Sequence, residues 1–501
     1  MGKQKPKLVK PTLDKDLDKI AHVEEAAQHV SRGFAPLGIA LIFMVLATVF
    51  AGALAMDRPG AWIIVAAAAI GAYMAMNIGA NDVTNNVGPA VGSRAMTMGV
   101  ALAIAVVFET AGALIAGGDV VSTISRGIVD PGKMPSADVF IWAMMASLLS
   151  SALWVNLATW IGAPVSTTHA VVGGVLGAGV AAAGMSAVDW GVMGGIAASW
   201  VISPVLGGVI AALFLAFIKE FIIYREDKIS AAQRWVPVLI GIMTGSFIAY
   251  LALKGLNKLI SISLLQACLI GLAFGFLSWW LSVPLIRRQS RGLENRNQSL
   301  RKLFQLPLIF SAALLSFAHG ANDVANAIGP LSAIVHAAQD SEISGQVTVP
   351  FWVMVIGAAG ISLGLLLFGP RLIRLVGEQI TKLNPMRAFC VSLSAAITVI
   401  VASALGLPVS STHIAVGAVF GVGFFREWYT RNSKRRMEYM RNKAERFVIE
   451  PKPERNPEEI RRRYLVRRSH FMTIVAAWII TVPASAALAA VLYWVMSLIA
   501  L

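Results

Sequence analysis

Apolar residues run for about twenty positions at a time along most of this 501-residue chain, and each run is long enough to cross a bilayer as a helix. The spans fall at 36–56, 61–78, 98–116, 139–161, 165–183 and 190–218, then 235–253 and 260–286, then 303–318, 351–368, 386–407, 409–425 and 471–499. They lack the alternation of a transmembrane barrel strand. The pattern predicts an all-α polytopic membrane protein with thirteen crossings.

Composition agrees. Hydrophobic residues make up 57% of the chain, charged residues only 14%, and the mean hydropathy is +0.70, too little charge to cover a water-soluble fold of this size. The net charge of +15 lies in the links, not along a nucleic-acid face. Links 219–234 and 287–302 are basic, and from Arg426 to Arg468 fifteen Lys or Arg stand against seven Glu. Such clusters mark cytoplasmic loops and touch anionic lipid heads. The expected setting is a bacterial inner (cytoplasmic) membrane, multi-pass, with the N-terminus cytoplasmic and the C-terminus outside. The first apolar run begins too late for a secretory signal. In the tail before it, Leu13, Leu17, Ile20, Ala27 and Val30 share one helical face, which predicts a short surface helix. Cys268 and Cys390 lie far apart in apolar stretches, so no disulfide framework is indicated.

The chain repeats itself. Gly79-Ala-Asn-Asp-Val-Thr-Asn-Asn-Val-Gly-Pro89 matches Gly320-Ala-Asn-Asp-Val-Ala-Asn-Ala-Ile-Gly-Pro330, and Pro164-Val-Ser-Thr-Thr-His169 matches Pro408-Val-Ser-Ser-Thr-His413. A weaker pair follows, Ser199-Trp-Val-Ile-Ser203 against Ala477-Trp-Ile-Ile-Thr481. By the loop charges the first motif rides a span running outside to inside and the second a span running inside to outside. This is an inverted repeat, the architecture of alternating-access transporters, with substrate at the repeat interface near mid-membrane. The expected division is a tail at 1–35, an extra helix at 36–58, a first repeat at 59–218, two linking helices at 219–302, and a second repeat at 303–501 carrying a basic insert at 426–470.

Asp82 and Asp323 each follow about one helix of apolar sequence, so both carboxylates lie within the membrane, where they are costly without compensation. Asn81, Asn85, Asn322 and Asn326 beside them offer amide oxygens and amide donors; the oxygens suit a small hard cation and the donors an anion. Gly88-Pro89 and Gly329-Pro330 are expected to break the motif helices, exposing backbone groups at membrane depth. Pro164 and Pro408 mark helix starts, with Ser166, Thr167 and Thr168, and Ser410, Ser411 and Thr412, close behind. Free amides and hydroxyls at such a start bind oxyanions without a fixed positive charge. His169 and His413 read equally as capping or packing groups and as a proton relay. Glu109 lies mid-span and is a functional candidate by its cost alone. No Cys/His constellation, nucleotide loop or nucleophile elbow occurs, so nothing points to an enzyme.

At these blocks the chain resembles the inorganic phosphate transporter (PiT) family, from about Ala61 onward. The resemblance implies a twelve-helix inverted-repeat core, here with one extra N-terminal helix. It implies import of inorganic phosphate by symport with a cation, without any other cofactor. The signature Asn and Asp and the hydroxyls of the second motif would line the site, with Asp82, Asp323, Asn81, Asn322 and Glu109 coupling the cation. It also implies a homodimer. The G-A-N-D form is closer to sodium-coupled than to proton-coupled members. Three departures stand out: Ser392 takes the position of a second Glu in animal members, the first signature reads Thr84-Asn85-Asn86 instead of the commoner Ala-Asn-Ala, and the long basic insert between Phe425 and His470 is peculiar to a subgroup. A sulfate or other oxyanion permease of the same fold, and a membrane sensor or scaffold using the basic insert, are the competing readings.

Overall fold

The computed structural model describes residues 34–255, 260–340, 349–379, 383–445 and 468–500. The N-terminal tail with its expected surface helix, and the insert beyond residue 445, lie outside the described residues. Among the described residues the chain is helical, apart from one isolated antiparallel bridge between Val129 and Val188.

The long helices are α1 (Phe34–Ala55), α2 (Ala61–Gly92), α3 (Met98–Ala116), α5 (Ala137–Ile161), α6 (Thr167–Ala183) and α7 (Trp190–Ile218). They continue as α8 (Lys228–Lys254), α9 (Leu264–Ser290), α11 (Gln305–Asp340), α12 (Phe351–Gln379), α13 (Pro385–Ala404), α14 (Ser411–Asn432) and α16 (Arg468–Ala500). Short helices α4 (Gly118–Ser122), α10 (Asn297–Leu303) and α15 (Lys434–Glu445) join them. The thirteen long helices match the apolar runs, and eleven are long and apolar enough to cross a membrane. The exceptions are α6, with 17 residues, and α14, whose last turns carry Arg426, Glu427 and Arg431.

Four of the thirteen do not cross separately, which corrects the crossing count. Helices α5 and α6 run antiparallel: Ser151 Oγ donates to Ala170 O at 3.0 Å, and a Cβ on Gly174 would stand 2.8 Å from Ser151 Oγ. Their far ends meet where Asp130 N–H donates to Ala187 O and Asp189 N–H to Ile128 O. Their near ends join through residues 162–166 at the depth of Asn81, well inside α2. Helices α13 and α14 repeat the arrangement at the depth of Asn322, the midpoint of α11, and their far ends, at Arg387 and Arg426, line one cavity. Each pair is therefore a hairpin that enters to mid-depth and returns to the side it came from. Among the described residues this leaves nine helices long enough to traverse the whole thickness, and because an even number of crossings is lost, the opposite sense expected for the two motif helices is unchanged. Hydropathy does not distinguish the cases, since a re-entrant helix buried in protein is as apolar as a spanning one.

The motif helices are continuous, against the expected breaks. Pro89 falls in the last turn of α2, where it removes one helical hydrogen bond but leaves little helix beyond it to disturb. Pro330 is inside α11, ten residues from its end, and neighbouring helices hold the turn in place. The breaks in the chain are at the hairpin tips instead, at the motif Pro164 and Pro408.

The repeats interlock rather than sit side by side. Helix α2 packs along α12 and α3 along α11; α6 packs along α16 and α14 along α7. Signature glycines make the first two contacts possible: a Cβ on Gly79 would collide with the Ile361 carbonyl, and one on Gly320 with the Glu109 carbonyl. Helix α1 adds on through Ala47 and Ala51, in one buried cluster with Ala68 and Ala72 of α2. Helices α8 and α9 pack chiefly on each other. Gly417 of α14 faces the Pro204 carbonyl of α7 with no room for a Cβ. Gly417→Val is therefore expected to lower stability by about 1–3 kcal/mol or more, while Gly194→Ala, into open space, leaves it unchanged; thermal melting of the purified variants compares the two.

Candidate functional site

The site forms where the two hairpin tips meet between α2 and α11. Ser166 caps α6 by accepting from His169 N–H at 3.1 Å, and Ser410 caps α14 by accepting from His413 N–H at 3.2 Å. Both helix starts stand where the sequence places them, and both serines are spent as caps. The next residues cross between repeats. Thr168 Oγ1 donates to Val409 O at 2.9 Å, and Thr412 Oγ1 lies 3.4 Å from Val165 O. Thr168 thus satisfies a carbonyl left free in the opposite tip, while the single proton of Thr412 goes to the nearer Asp82 Oδ1 at 3.0 Å.

Asn81 and Asn322 turn toward the tips rather than the carboxylates. Asn81 Nδ2 donates to Thr159 Oγ1 at 2.9 Å and lies 3.4 Å from Ala163 O, while its Oδ1 accepts from Val165 N–H at 3.3 Å. Asn322 Nδ2 donates to Ser403 Oγ at 2.9 Å and to Leu407 O at 3.3 Å. These two asparagines clamp the tips to the motif helices.

Asp82 and Asp323 sit one residue further along, both at most 1% exposed. Asp82 Oδ2 accepts from Thr167 Oγ1 at 2.8 Å; its Oδ1 accepts from Thr412 Oγ1 at 3.0 Å and lies 3.4 Å from Asn85 Nδ2. Asp323 Oδ2 accepts from Ser411 Oγ at 3.1 Å, and its Oδ1 has no partner. Asn85 donates to Thr412 Oγ1 at 2.8 Å, and Asn326 to Thr168 Oγ1 at 3.1 Å. The motif residues Asp82, Asn85, Thr167, Thr168, Asp323, Asn326, Ser411 and Thr412 therefore form one buried polar cluster drawn equally from both repeats.

At its centre is a residue that the motif comparison passes over. His319, fully buried on α11, places Nε2 3.1 Å from Asp323 Oδ2 and 3.6 Å from Asp82 Oδ2, and Nδ1 3.3 Å from Glu109 Oε2. These are ion-pair distances without aligned hydrogen bonds. Ligand atoms of Asp82, His319 and Asp323 all lie within 4.8 Å of one another, a spacing that suits a cation. A histidine in mid-span, one helical turn before the signature Asp, was the available signal. Internal repetition does not mark it, because the matched position in the first repeat is Ile78.

Glu109 joins the cluster through His319 and through Asn86, whose Nδ2 donates to Glu109 Oε1 at 2.7 Å. The Asn86 departure in the first signature thus has a partner. Ile361 stands at the counterpart of Glu109, packed on Gly79 as Glu109 is on Gly320, and Thr110 and the matching Ser362 share a 2.7 Å hydrogen bond. Ser392 is fully buried with an unpartnered Oγ. His169 and His413 lie ring to ring at 4.3 Å between Trp200 and Trp478, each Trp 3.8 Å from its histidine. None of the four imidazole nitrogens has a hydrogen-bond partner, so these histidines pack.

The chain is similar to known proteins over most of its length. The model of the Phosphate transporter family matches residues 78–489. A Helicobacter pylori (strain J99) protein named "Putative phosphate permease" is 46% identical over 95% of this chain and 98% of its own length. A Haemophilus influenzae protein of the same name is 33% identical over 87% of this chain and 97% of its own. A solved structure, "The sodium-dependent phosphate transporter", superposes with a TM-score of 0.75 at 33% identity, covering 87% of this chain and 99% of that one.

Removing the ring of His319 leaves buried carboxylates facing one another. His319→Leu is expected to cost about 3–5 kcal/mol, read as a fall in melting temperature, and adding Glu109→Gln to it should recover part of the loss. Additive effects of the two changes in a double-mutant cycle would mean that the residues do not interact.

Proposed function

We propose that this chain, which belongs to the phosphate transporter family, imports inorganic phosphate by symport with a cation. The observation that carries the reading is the pair of buried carboxylates, Asp82 and Asp323, bridged by hydroxyls from both hairpin tips. Hydroxyls and amides of Thr167, Thr168, Ser411, Thr412, Asn85 and Asn326 are donors for the phosphate oxygens, supplemented by the free first-turn amides of α6 and α14. Ser166, Ser410, Asn81 and Asn322 hold the tips in position.

Electrostatics supports the coupling. Three carboxylates, of Asp82, Asp323 and Glu109, face a single imidazole in a site shielded from water. A phosphate anion added there is repelled unless a cation enters with it. Carboxylate and amide oxygens suit a hard cation, and sodium is favoured by the form of the signature and by the sodium dependence stated for the similar solved structure. The hairpins enter from opposite sides, so withdrawing one tip opens the cluster to one side only, which is alternating access. The basic links support a cytoplasmic N-terminus in the inner membrane, and the family resemblance supports a homodimer.

Purified protein in liposomes tests the reading. Labelled phosphate should accumulate under an inward sodium gradient and not under a proton gradient alone, and excess sulfate should not compete. Asp82→Asn and Asp323→Asn should each reduce uptake by about tenfold or more, since each weakens charged hydrogen bonds, while melting stays cooperative. Undiminished uptake in both variants would remove the two carboxylates from the site, and no uptake under either gradient would end the phosphate reading.

A further inference from the structure

A second polar cavity, of about 240 Å³, lies at the base of the α13–α14 hairpin. Four cations line it: Lys219 in the turn after α7, Arg301 of α10, Arg387 of α13 and Arg426 of α14. Among the described residues no carboxylate lines it. The nearest acids are engaged elsewhere or alongside: Glu220 holds Arg435 and accepts from Tyr429 Oη, and Glu427 neighbours Arg426 in sequence. Lys219 is only 7% exposed, and among the described residues its ammonium meets the faces of Tyr429, at 4.2 Å from the ring centroid, and Phe425, at 5.4 Å. A buried cation without an anionic partner is costly, and three guanidinium groups around the same space add repulsion.

From this geometry we infer a binding site for a phosphate-bearing anion, separate from the central cluster. Guanidinium forks match phosphate oxygens. Asn297 and Asn384 add amide groups to the lining, and the positive end of α13, capped by Asn384, faces the same region. The volume is below the ~300–1,000 Å³ of pockets that enclose drug-sized ligands, which fits orthophosphate or the phosphate of a lipid headgroup and excludes a nucleotide. Arg387 is sixteen residues from Ser403 at the hairpin tip, about 24 Å along the helix, so the two sites do not share a ligand. An anion here bridges α7, α10, α13 and α14 and fixes the base of the hairpin against its neighbours. The inference does not depend on what the central site carries.

Thermal melting of the purified full chain in detergent, with inorganic phosphate titrated at constant ionic strength, tests it. Phosphate is expected to raise Tm in the wild type and still in the Asp82→Asn/Asp323→Asn variant, with half-saturation moved upward by about tenfold or more in Arg387→Gln and Arg301→Gln. Arg301 is exposed, so its replacement keeps the test valid if Arg387→Gln folds poorly. A lipid occupant shows itself differently: phosphatidylglycerol stays bound to the wild type in native mass spectrometry and is lost from the same variants. If neither phosphate nor phosphatidylglycerol separates the wild type from Arg387→Gln and Arg301→Gln, the cavity is not an anion site.

Discussion

Two chain segments end at mid-depth, and each is completed by the other. A tip that stops inside an apolar layer leaves carbonyls and amides with no water to receive them. Here Thr168 of one tip reaches the Val409 carbonyl of the other, and Thr412 reaches back to Asp82 of the first repeat. Each tip is held by the asparagine of its own repeat and by contacts from the other, so the register between the repeats sets how the two tips meet. The interlocking of α2 with α12 and α3 with α11 supplies that register, and the glycines at 79 and 320 set how closely the frames approach.

On this two-fold frame sits a group of side chains without counterparts. His319, Glu109 and Asn86 are matched in the other repeat by Ile78, Ile361 and Ala327, and all three are joined in a single chain of contacts. The hydroxyls and asparagines that line the cluster obey the symmetry, while the groups able to change charge depart from it beside Asp82 and Asp323. A symmetric cradle with an asymmetric charge lining accords with the proposed function, in which the cradle would hold a tetrahedral anion and the charged groups a cation on one side of it.

Much of this was legible in the sequence. Thirteen apolar runs correspond to the thirteen long helices, the paired signatures converge, and Pro164 and Pro408 mark the helix starts with Ser166 and Ser410 as caps. The hairpins were not legible, because α5 and α13 fall within the hydropathy range of the spanning helices and nothing local tells a chain that it will stop halfway. The continuity of α2 and α11 through Pro89 and Pro330 was also hidden, since it depends on neighbours that hold the turn. His319 stood in plain view but unmatched, and internal repetition, the most informative signal, discards residues that occur only once.

The ring column Trp200–His169–His413–Trp478 lies along the same seam as the tip bonds but is of another kind. Hydroxyl-to-carbonyl bonds are directional and break abruptly when the partners shift by an ångström or so. Trp200 Nε1 donates to Pro408 O at 3.2 Å, while the tilted and edge-on contacts among the four rings tolerate sliding and tilting with little loss of contact. The first turns of α6 and α14 therefore carry a latch on one face and a dry bearing on the other. In the proposed transport cycle, in which the tips part, this ring surface is the contact that would be left between the two helices.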